Sequence, residues 1–315
     1  MDPADDQATG LTVAIPTFQR NDHLRELLPM ILGQIDELDG LGGFRSELLV
    51  VDNDPDGGAA VVIAEMDDPR LRYVHERQPG LSAVRNRAIN EAARSRLLAF
   101  MDDDGRPAPG WLRHLVDTWL AERPASIAGR VIEDYESQPG PWIIAGKFFN
   151  RPTYPTGTEV RAAAAGNILL DLADVRESRI SFDPRFGLSG AEDTLLTRQL
   201  TAAGRRIVWC DESKVVDQVP TLRLNRRWLL QRAWSHGNSA TLVERALAKS
   251  TADSLRIRAV ALGGGLIRVV SGAARYAFGV LSFNNRHRAR GLRLAFRGAG
   301  MAAGATGHVV EEYAR

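Results

Sequence analysis

Short apolar runs recur along the N-terminal part of the chain, and each is bounded by polar residues or proline. Apolar runs of this length predict buried strands. Four such strands are predicted, at Leu11–Ile15, Glu47–Val51, Leu71–His75 and Leu97–Met101.

Helical patterns separate the predicted strands. After Asn21 or Asp22, either of which can cap a helix, apolar residues follow the i, i+3, i+4, i+7 spacing of a helix packed on a sheet. They are Leu24, Leu27, Leu28, Ile31, Leu32, Ile35 and Leu38. Pro29 is predicted to kink this helix. Further helices are predicted from about Gly58 to Met66 and from Ser82 onward. The alternation predicts an α/β fold, with a mostly parallel central sheet and helices on both faces.

Polar clusters follow three of the predicted strands, at Pro16–Thr17, Asp52–Asp54 and Asp102–Asp104. Ligands of parallel α/β sheets bind outside the carboxyl ends of the strands, so the topology predicts that these tips meet at one rim. Three adjacent carboxylates repel one another, and oxygen-rich sites of this kind suit Mg²⁺ or Mn²⁺. A solvated acidic turn is the alternative, and the aspartates alone do not decide between the two.

Glycine-rich phosphate loops are missing from the sequence. No G-x-G-x-x-G follows the first predicted strand, and no G-x-x-x-x-G-K-[ST] occurs. A nucleotide bound at the predicted rim would therefore be held by a metal and by side chains.

Charge is distributed unevenly along the 315 residues, although the net charge is only +1. From Thr221 onward there are 16 Lys and Arg against 4 Asp and Glu, a net charge of +12, so residues 1–220 carry −11. This asymmetry predicts a cation-dependent site in the first part and a surface for an anionic partner in the second.

The sequence also predicts where the protein is located. Cys210 is the single cysteine, which fits a reducing cytosol. The acidic, polar N-terminus argues against a signal peptide. No run of about 18 apolar residues occurs, so no conventional transmembrane span is expected. The predicted location is the cytoplasm, or the inner face of the cell membrane if the basic region binds lipid.

Five short motifs, in order over roughly residues 11–235, resemble the nucleotide-diphospho-sugar glycosyltransferases of family two. The motifs are Val13–Phe18, Val50–Asn53, Pro79–Asn86, Phe100–Asp104 with Trp111–Leu112, and Gly190–Asp193. The resemblance implies a GT-A fold, an inverting, metal-dependent transfer, and a UDP-, dTDP- or GDP-sugar donor. The expected acceptor is a hydroxyl of a cell-envelope glycan, a lipid-linked molecule or a secondary metabolite.

The resemblance also implies roles for individual residues. Asp193 would be the catalytic base, and Asp102 and Asp104 would bind Mn²⁺ or Mg²⁺. The donor nucleotide sugar would be bound by Pro16, Thr17, Phe18, Arg20, Asp52, Arg85, Asp102 and Asp103. Glu192 would bind the acceptor. The alternative for Glu192 and Asp193 is that they only stabilise a helix N-terminus.

One departure from the family pattern concerns the metal. Many relatives carry a histidine, sometimes a metal ligand, where this chain has Val215–Pro220. Either Asp217 replaces that histidine, or the third protein ligand is absent.

Aromatic residues in the segment Ile132–Gly166 and at the start of the basic region suggest an acceptor site. Trp142, Arg227 and Trp228 are therefore predicted to bind the acceptor. A satellite core under a long loop is the alternative.

The basic region has two interpretations of equal weight. Leu255–Phe283 is mostly apolar with interspersed arginines, as in helices that lie on anionic membranes. A helical cap with solvated arginines is the alternative. Gly263–Gly265 is interpreted as a helix irregularity, and no nucleic-acid-binding module is recognised.

Three regions are predicted: a disordered N-terminus (residues 1–10), a GT-A catalytic domain (11–220) and a helical basic region (221–315). Two other functions are alternatives. A nucleotidyltransferase should show a basic, glycine-rich motif near the first strand, which Ile15–Phe18 lacks. A catalytically silent carbohydrate- or membrane-binding protein would not need both the aspartate cluster and Glu192–Asp193.

Overall fold

The computed structural model describes residues 8–310, which form two compact units. The sheet unit comprises the described residues up to Ile132 together with Pro152–Gly187 and Glu192–Asp217. The helical unit comprises Glu133–Arg151, Leu188–Ala191 and the described residues from Gln218 onward. Most of the predicted disordered N-terminus lies outside the described residues, and Thr9 already begins the first strand.

The strands form one sheet with the order β3-β2-β1-β4-β7-β6-β8-β5. They are β1 (Thr9–Thr17), β2 (Phe44–Asp52), β3 (Leu71–His75), β4 (Leu97–Met101), β5 (Gly105–Pro107), β6 (Ser126–Tyr135), β7 (Asn167–Asp171) and β8 (Ile207–Val219). Strands β1 to β4 pair in parallel, and the pairs β4–β7, β6–β7 and β5–β8 are antiparallel. The predicted α/β class is confirmed, and the four strands predicted from the sequence form its parallel part.

Helices connect the strands and form the C-terminal region. They are α1 (Asn21–Asp39), α2 (Ala60–Ala64), α3 (Leu81–Glu91), α4 (Trp111–Glu122), α5 (Pro141–Gly146), α6 (Leu172–Ser178), α7 (Glu192–Ala202), α8 (Arg226–Ala246), α9 (Thr251–Leu281) and α10 (Asn285–Thr306). All seven predicted apolar residues of α1 are buried, and α1 continues past Pro29 to Asp39. Helix α2 is shorter than predicted.

Two apolar cores cover the two faces of the sheet. One contains side chains of α1, α2 and α4 together with Leu11, Val13 and Leu48. The other contains side chains of α3, α6 and α7 together with Ala14 and Phe100. Because neighbouring residues of a strand point to opposite faces, β1 contributes alternately to both cores. The predicted covering of both faces by helices is confirmed.

In the helical unit, α9 and α10 pack closely through glycines. A Cβ added at Gly265 would lie 2.6 Å from the carbonyl oxygen of Gly298, and one added at Gly272 would lie 2.7 Å from that of Gly291. Only glycine permits this approach of two helix backbones. Gly263–Gly265 lie inside α9, which runs without a break from Thr251 to Leu281, so their interpretation as a helix irregularity was wrong.

Helix α9 is long and apolar enough to cross a membrane, although no transmembrane span was predicted from the sequence. It has 31 residues, and an 18-residue window has a mean hydropathy of 1.4 with 17% of that window buried. The sequence contains no long uninterrupted apolar run, but Arg268 is the single charged residue between Arg258 and Arg275. Among the described residues, α9 is the one helix long and apolar enough to cross a membrane.

Candidate active site

The ends of β1, β2 and β4 lie next to one another at one edge of the sheet. Thr17 pairs with Asp52 in the β1–β2 register, and β4 lies on the other side of β1. The Thr17 hydroxyl donates to Oδ2 of Asp103 over 2.8 Å, which joins the end of β1 to the aspartates after β4. The three polar tips therefore form one rim.

Asp103 is buried and held by residues of the β1 end. Besides Thr17, Arg20 donates to Oδ1 of Asp103, and the same guanidinium donates to Oδ2 of Asp104 over 3.0 Å. Burial raises the pKa of Asp103, while Arg20 and the Thr17 hydrogen bond act in the opposite direction. With both carboxylate oxygens engaged inside the protein, Asp103 fixes the loop that carries its two neighbours.

Asp102 is the more accessible member of the cluster. Its side chain is 45% exposed, and Oδ1 accepts a hydrogen bond from Arg85 over 3.1 Å. Crowding by surrounding protein atoms, followed by repulsion from Asp104, Asp103 and Asp193, raises its pKa to about 6, against the opposing charge of Arg85. A cation at this position would relieve the repulsion between the carboxylates.

Gly166 keeps space open beside this carboxylate. A Cβ at Gly166 would lie 2.9 Å from Oδ2 of Asp102. Sequence reasoning missed this residue because the close approach joins two parts of the chain that are distant in sequence.

Arg85 and Glu192 form a buried ion pair beneath the rim. Their side chains are 4% and 2% exposed, and Nη1 of Arg85 donates to Oε1 of Glu192. Two of their atoms, Nε of Arg85 and Oε2 of Glu192, are buried and lack a protein partner. Glu192 was predicted to bind the acceptor; its side chain is buried against Arg85, and the acceptor role stays a prediction.

Helix α3 brings Arg85 to this position through a tight approach at its start. Gly80 precedes α3 with φ 112°, and a Cβ there would lie 3.0 Å from the carbonyl oxygen of Gly187. Asn86 strengthens the same junction, because its side-chain amide exchanges two hydrogen bonds with the backbone of Phe182. Gly80 and Asn86 belong to a predicted motif, and their contacts are structural.

Asp193 lies at the start of α7, where two backbone N–H groups orient its carboxylate. Oδ2 accepts from the backbone N–H of Ala165 over 3.0 Å, and Oδ1 accepts from that of Thr194 over 2.5 Å. Its charge contributes to the raised pKa of Asp102, so the two carboxylates are within electrostatic range. Ala191, just before α7, has φ 67°, a left-handed conformation rare for a residue with a Cβ.

Asp52 is fully buried, and its carboxylate is largely satisfied by internal donors. It accepts from the backbone N–H groups of Asp54 and Ala59, each over 2.9 Å, and from the hydroxyl of Tyr73 over 3.0 Å. Burial, followed by the hydrogen bond to Asp52, raises the pKa of Tyr73 to about 12. Pro16 is also buried and Phe18 is half-buried. Sequence reasoning missed Tyr73, which nothing near it in sequence marks as a partner of Asp52.

Trp142, Arg227 and Trp228 belong to the helical unit. The ring of Trp142 stacks on Phe148 with centroids 4.9 Å apart, and Trp228 stacks on Phe149 at 6.1 Å. Both tryptophans pack in a small apolar cluster, whereas Arg227 is exposed. These contacts match the satellite-core interpretation, and the acceptor role of the three residues stays a prediction.

The carboxylates at the rim suit a divalent cation that takes most of its ligands from the enzyme's substrate. Asp102 and Asp104 offer two carboxylates from one loop. The β5–β8 register pairs Asp217 with Gly105, the residue after Asp104. Within residues 8–310, no group of three or more His, Cys, Asp and Glu side chains could hold a metal. Mg²⁺ sites with one or two carboxylates plus substrate phosphates have this composition.

Comparisons with known proteins agree with this geometry. The profile described as glycosyl transferase family 2 matches residues 12–168. The succinoglycan biosynthesis protein ExoM of Rhizobium meliloti (strain 1021) is 28% identical over 276 residues, covering 85% of this chain and 86% of ExoM.

Solved structures share the fold at low sequence identity. S. aureus TarS residues 1–349 in complex with UDP-GlcNAc superposes with a TM-score of 0.53 at 13% identity, covering 89% of this chain and 90% of that one. This chain spans only 40% of a longer TarS chain. GalNAc-T7 with UDP, GalNAc and Mn²⁺ gives a TM-score of 0.54 at 13% identity, covering 75% of this chain and 51% of GalNAc-T7. The rim of carboxylates on this sheet and the matches in sequence and fold agree: residues 12–168 belong to glycosyl transferase family 2, and the protein is a glycosyltransferase with the GT-A fold.

Proposed function

We propose that the enzyme transfers a sugar from a nucleotide-diphospho-sugar to an acceptor hydroxyl, with inversion at the anomeric carbon and with Mn²⁺ or Mg²⁺ bound. The observation that carries the proposal is the proximity of Arg85, Asp102 and Asp193 at the end of β4. The reaction needs a cation for the diphosphate, carboxylates for the metal and a base for the acceptor.

The donor is a UDP-, dTDP- or GDP-sugar, with a UDP-sugar the first to test because TarS and GalNAc-T7 were solved with UDP compounds. Pro16, Thr17, Phe18 and Asp52 border the base and ribose. Arg85 neutralises the diphosphate, and Arg20 and Asp103 keep the aspartate loop in position.

Asp102 and Asp104 would hold the metal, with oxygens of the donor diphosphate completing its shell. When bound, the cation offsets negative charge that develops on the departing diphosphate. Arg85 contributes positive charge to the same region and donates to Asp102, which keeps that carboxylate oriented for a cation.

Asp193 acts as the general base. The acceptor oxygen attacks the anomeric carbon on the face opposite the diphosphate, and Asp193 takes the hydroxyl proton. The bond from the anomeric carbon to the diphosphate breaks, and the diphosphate leaves with the bonding electrons. The hydrogen bonds from Ala165 and Thr194 support this role because they fix the orientation of the carboxylate.

Glu192 positions Arg85 in this scheme. Its burial and its ion pair with Arg85 leave little of it to contact an acceptor. The role proposed here therefore replaces the acceptor-binding role predicted from the sequence.

The acceptor is a growing glycan, which the name of ExoM, a succinoglycan biosynthesis protein, supports; a cell-envelope glycan is the first to test. A membrane surface is a second proposal with its own observation. Ten of the 21 large exposed apolar side chains among the described residues lie on α9, among them Val260, Leu266, Ile267, Val270 and Phe278. An apolar helix face in a region of net charge +12 suits an anionic lipid surface and a lipid-linked acceptor. The protein would then act at the cytoplasmic face of the membrane.

A panel of nucleotide sugars tests the main proposal. Each is screened by thermal shift with and without Mn²⁺, since a ligand that binds the folded state raises its stability. Donors that stabilise the protein are then tested for release of nucleoside diphosphate with a glycan acceptor. Release of pyrophosphate instead would favour a nucleotidyltransferase, and binding without turnover of any donor would favour a catalytically silent protein.

A further inference from the structure

A small cavity within the helical unit is surrounded by positive charge. Three arginines, Arg232, Arg293 and Arg297, line it together with His236 and the rings of Phe148 and Phe149. The space open to the centre of a water molecule is about 20 Å³, enough for one water, and the cavity opens to solvent. None of the described residues that line it is acidic.

The arrangement brings like charges together. Arg232 of α8 lines the cavity, and Arg293 and Arg297, which also line it, are four residues apart on α10. Side chains with this spacing are neighbours on one helix face, where like charges destabilise the helix. A bound anion would convert this repulsion into attraction.

Several contacts hold the arginines in place. Arg293 donates to the carbonyl oxygens of Gly146 and Lys147, and its guanidinium lies 5.7 Å from the centroid of the Phe148 ring. The guanidinium of Arg232 lies 5.2 Å from the Trp228 ring. Guanidinium groups held in this way lose little freedom when they bind an anion.

His236 responds to the surrounding charges. Crowding by protein atoms, followed by the positive charges of Arg232, Arg297, Arg293 and Arg151, lowers its pKa to about 3. His236 is nevertheless an exposed residue, and it lines the cavity. At neutral pH the imidazole is uncharged and can donate one N–H, so it adds a hydrogen bond without adding to the repulsion.

We propose that this cavity is a binding site for a phosphate group, seated at its mouth between α8 and α10. Guanidinium groups bind phosphate through paired N–H···O hydrogen bonds, and three of them line this cavity where it opens to solvent. The phosphate comes either from a free phosphate compound or from a phospholipid head group. The site is independent of the transfer chemistry proposed for the sheet unit.

Nuclear magnetic resonance of the histidine rings tests the site in the full-length protein. Inorganic phosphate and pyrophosphate are titrated in one arm, and phosphatidylglycerol vesicles, with phosphatidylcholine vesicles as the control, in the other. A bound phosphate should shift the His236 ring signals saturably and raise the pKa of His236. Arg297→Gln should weaken the effect about tenfold, the loss expected for one hydrogen bond to a charged group.

The matched control is Arg256→Gln, which removes an equally charged, exposed arginine from α9. It should leave the titration unchanged. A response to phosphate or pyrophosphate assigns the site to free phosphate compounds, and a response confined to phosphatidylglycerol assigns it to lipid head groups. The proposal is overturned if neither shifts His236, or if both substitutions weaken the response equally.

Discussion

The two units of the protein use arginine in different ways. In the sheet unit, arginines pair with carboxylates: Arg85 with Glu192 and Asp102, and Arg20 with Asp103 and Asp104. In the helical unit, arginines donate to backbone carbonyls near helix C-termini. These contacts join Arg258 to Ala305, Arg245 to Gly304, Arg288 to Gly279, and Arg290 to Ala145.

The difference changes how net charge should be interpreted. Positive side chains at helix C-termini satisfy carbonyl groups that lack intrahelical partners and interact favourably with the helix dipole. Part of the +12 charge of the C-terminal region is therefore structural. The opposite charges of the sheet unit meet at the rim, where repulsion among the aspartates is only partly balanced by Arg20 and Arg85. A count of charges alone does not distinguish a ligand site from a set of helix caps.

The largest expected effect is that of removing the proposed general base, Asp193, from the sheet unit. Asp193→Asn keeps the shape and a hydrogen-bonding oxygen but cannot take a proton. General-base catalysis typically contributes about 10²–10⁴-fold, so transfer should fall by a factor in that range while donor binding is retained. Turnover and donor affinity measured on the same preparation check this. A fully active variant, or a product that retains the donor's anomeric configuration, would contradict the mechanism.

Breaking the buried pair tests whether Glu192 positions Arg85. Removing one partner of a buried ion pair typically costs about 3–5 kcal/mol, so Glu192→Gln, which keeps a hydrogen bond, should lower the free energy of unfolding by about 3 kcal/mol or less. Donor affinity should fall because Arg85 is displaced, and the KM for the acceptor should stay unchanged. The measurements are urea unfolding and the two substrate dependences. An effect on the acceptor KM alone would restore the role predicted from the sequence.

Removing one of the two carboxylates proposed to bind the metal should have a smaller effect than removing the proposed base. Asp104→Asn should weaken donor binding in the presence of Mn²⁺ by at least about tenfold, since even outer-shell changes at metal sites cost 10–100-fold. Without Mn²⁺ the variant and the wild type should bind the donor alike. Calorimetric titration with and without the metal checks both statements. Wild-type binding and turnover by the variant would show that the metal assignment is wrong.

Much of the structure of the sheet unit can be predicted from the sequence, because its helices and strands are marked by patterns within short segments. The 3.6-residue period of Leu24 to Leu38 and the apolar runs before Asp52 and Asp102 each mark an element and its buried face. The rim follows from topology, since parallel strands place their carboxyl ends together. Tyr73, Gly166 and the Arg85–Glu192 pair could not be predicted, because each depends on contacts between residues far apart in sequence.

The helical unit was harder to predict for a related physical reason. Gly265, Gly272 and Gly279 recur every seven residues, which suits a helix packed on another backbone, but a single sequence does not show which helix is the partner. Arginines also interrupt the apolar sequence of α9, so it was not recognised as a helix long and apolar enough to cross a membrane. Whether an arginine there caps a helix or lines a cavity depends on the position of α10, which no local pattern gives.

Substitutions at two glycines of α9 distinguish the effect of helix–helix packing on stability from the effect of helix propensity. A Cβ at Gly265 would lie 2.6 Å from a backbone oxygen of α10, whereas one at Gly263 would meet nothing within 4 Å. Gly265→Ala should therefore destabilise the protein by about 1–3 kcal/mol through overpacking. Gly263→Ala should stabilise it by up to about 1 kcal/mol, because alanine favours the helix. Chemical denaturation of both variants checks the contrast, and equal effects would mean that α9 and α10 do not approach through Gly265.

The last prediction concerns membrane binding by the exposed face of α9. The wild type should bind phosphatidylglycerol vesicles, and added salt should weaken this binding because anionic attraction is screened. Ile267 is 68% exposed. Burying such a side chain contributes about 1.5–3 kcal/mol, so Ile267→Asn should reduce vesicle binding roughly tenfold or more. Leu41→Asn is the matched control, since Leu41 is 59% exposed in a turn of the sheet unit. A surface substitution is preferable to deleting α9 and α10, because α10 also packs against α8. If both variants bind vesicles like the wild type, α9 does not enter the membrane interface and serves as a helical cap.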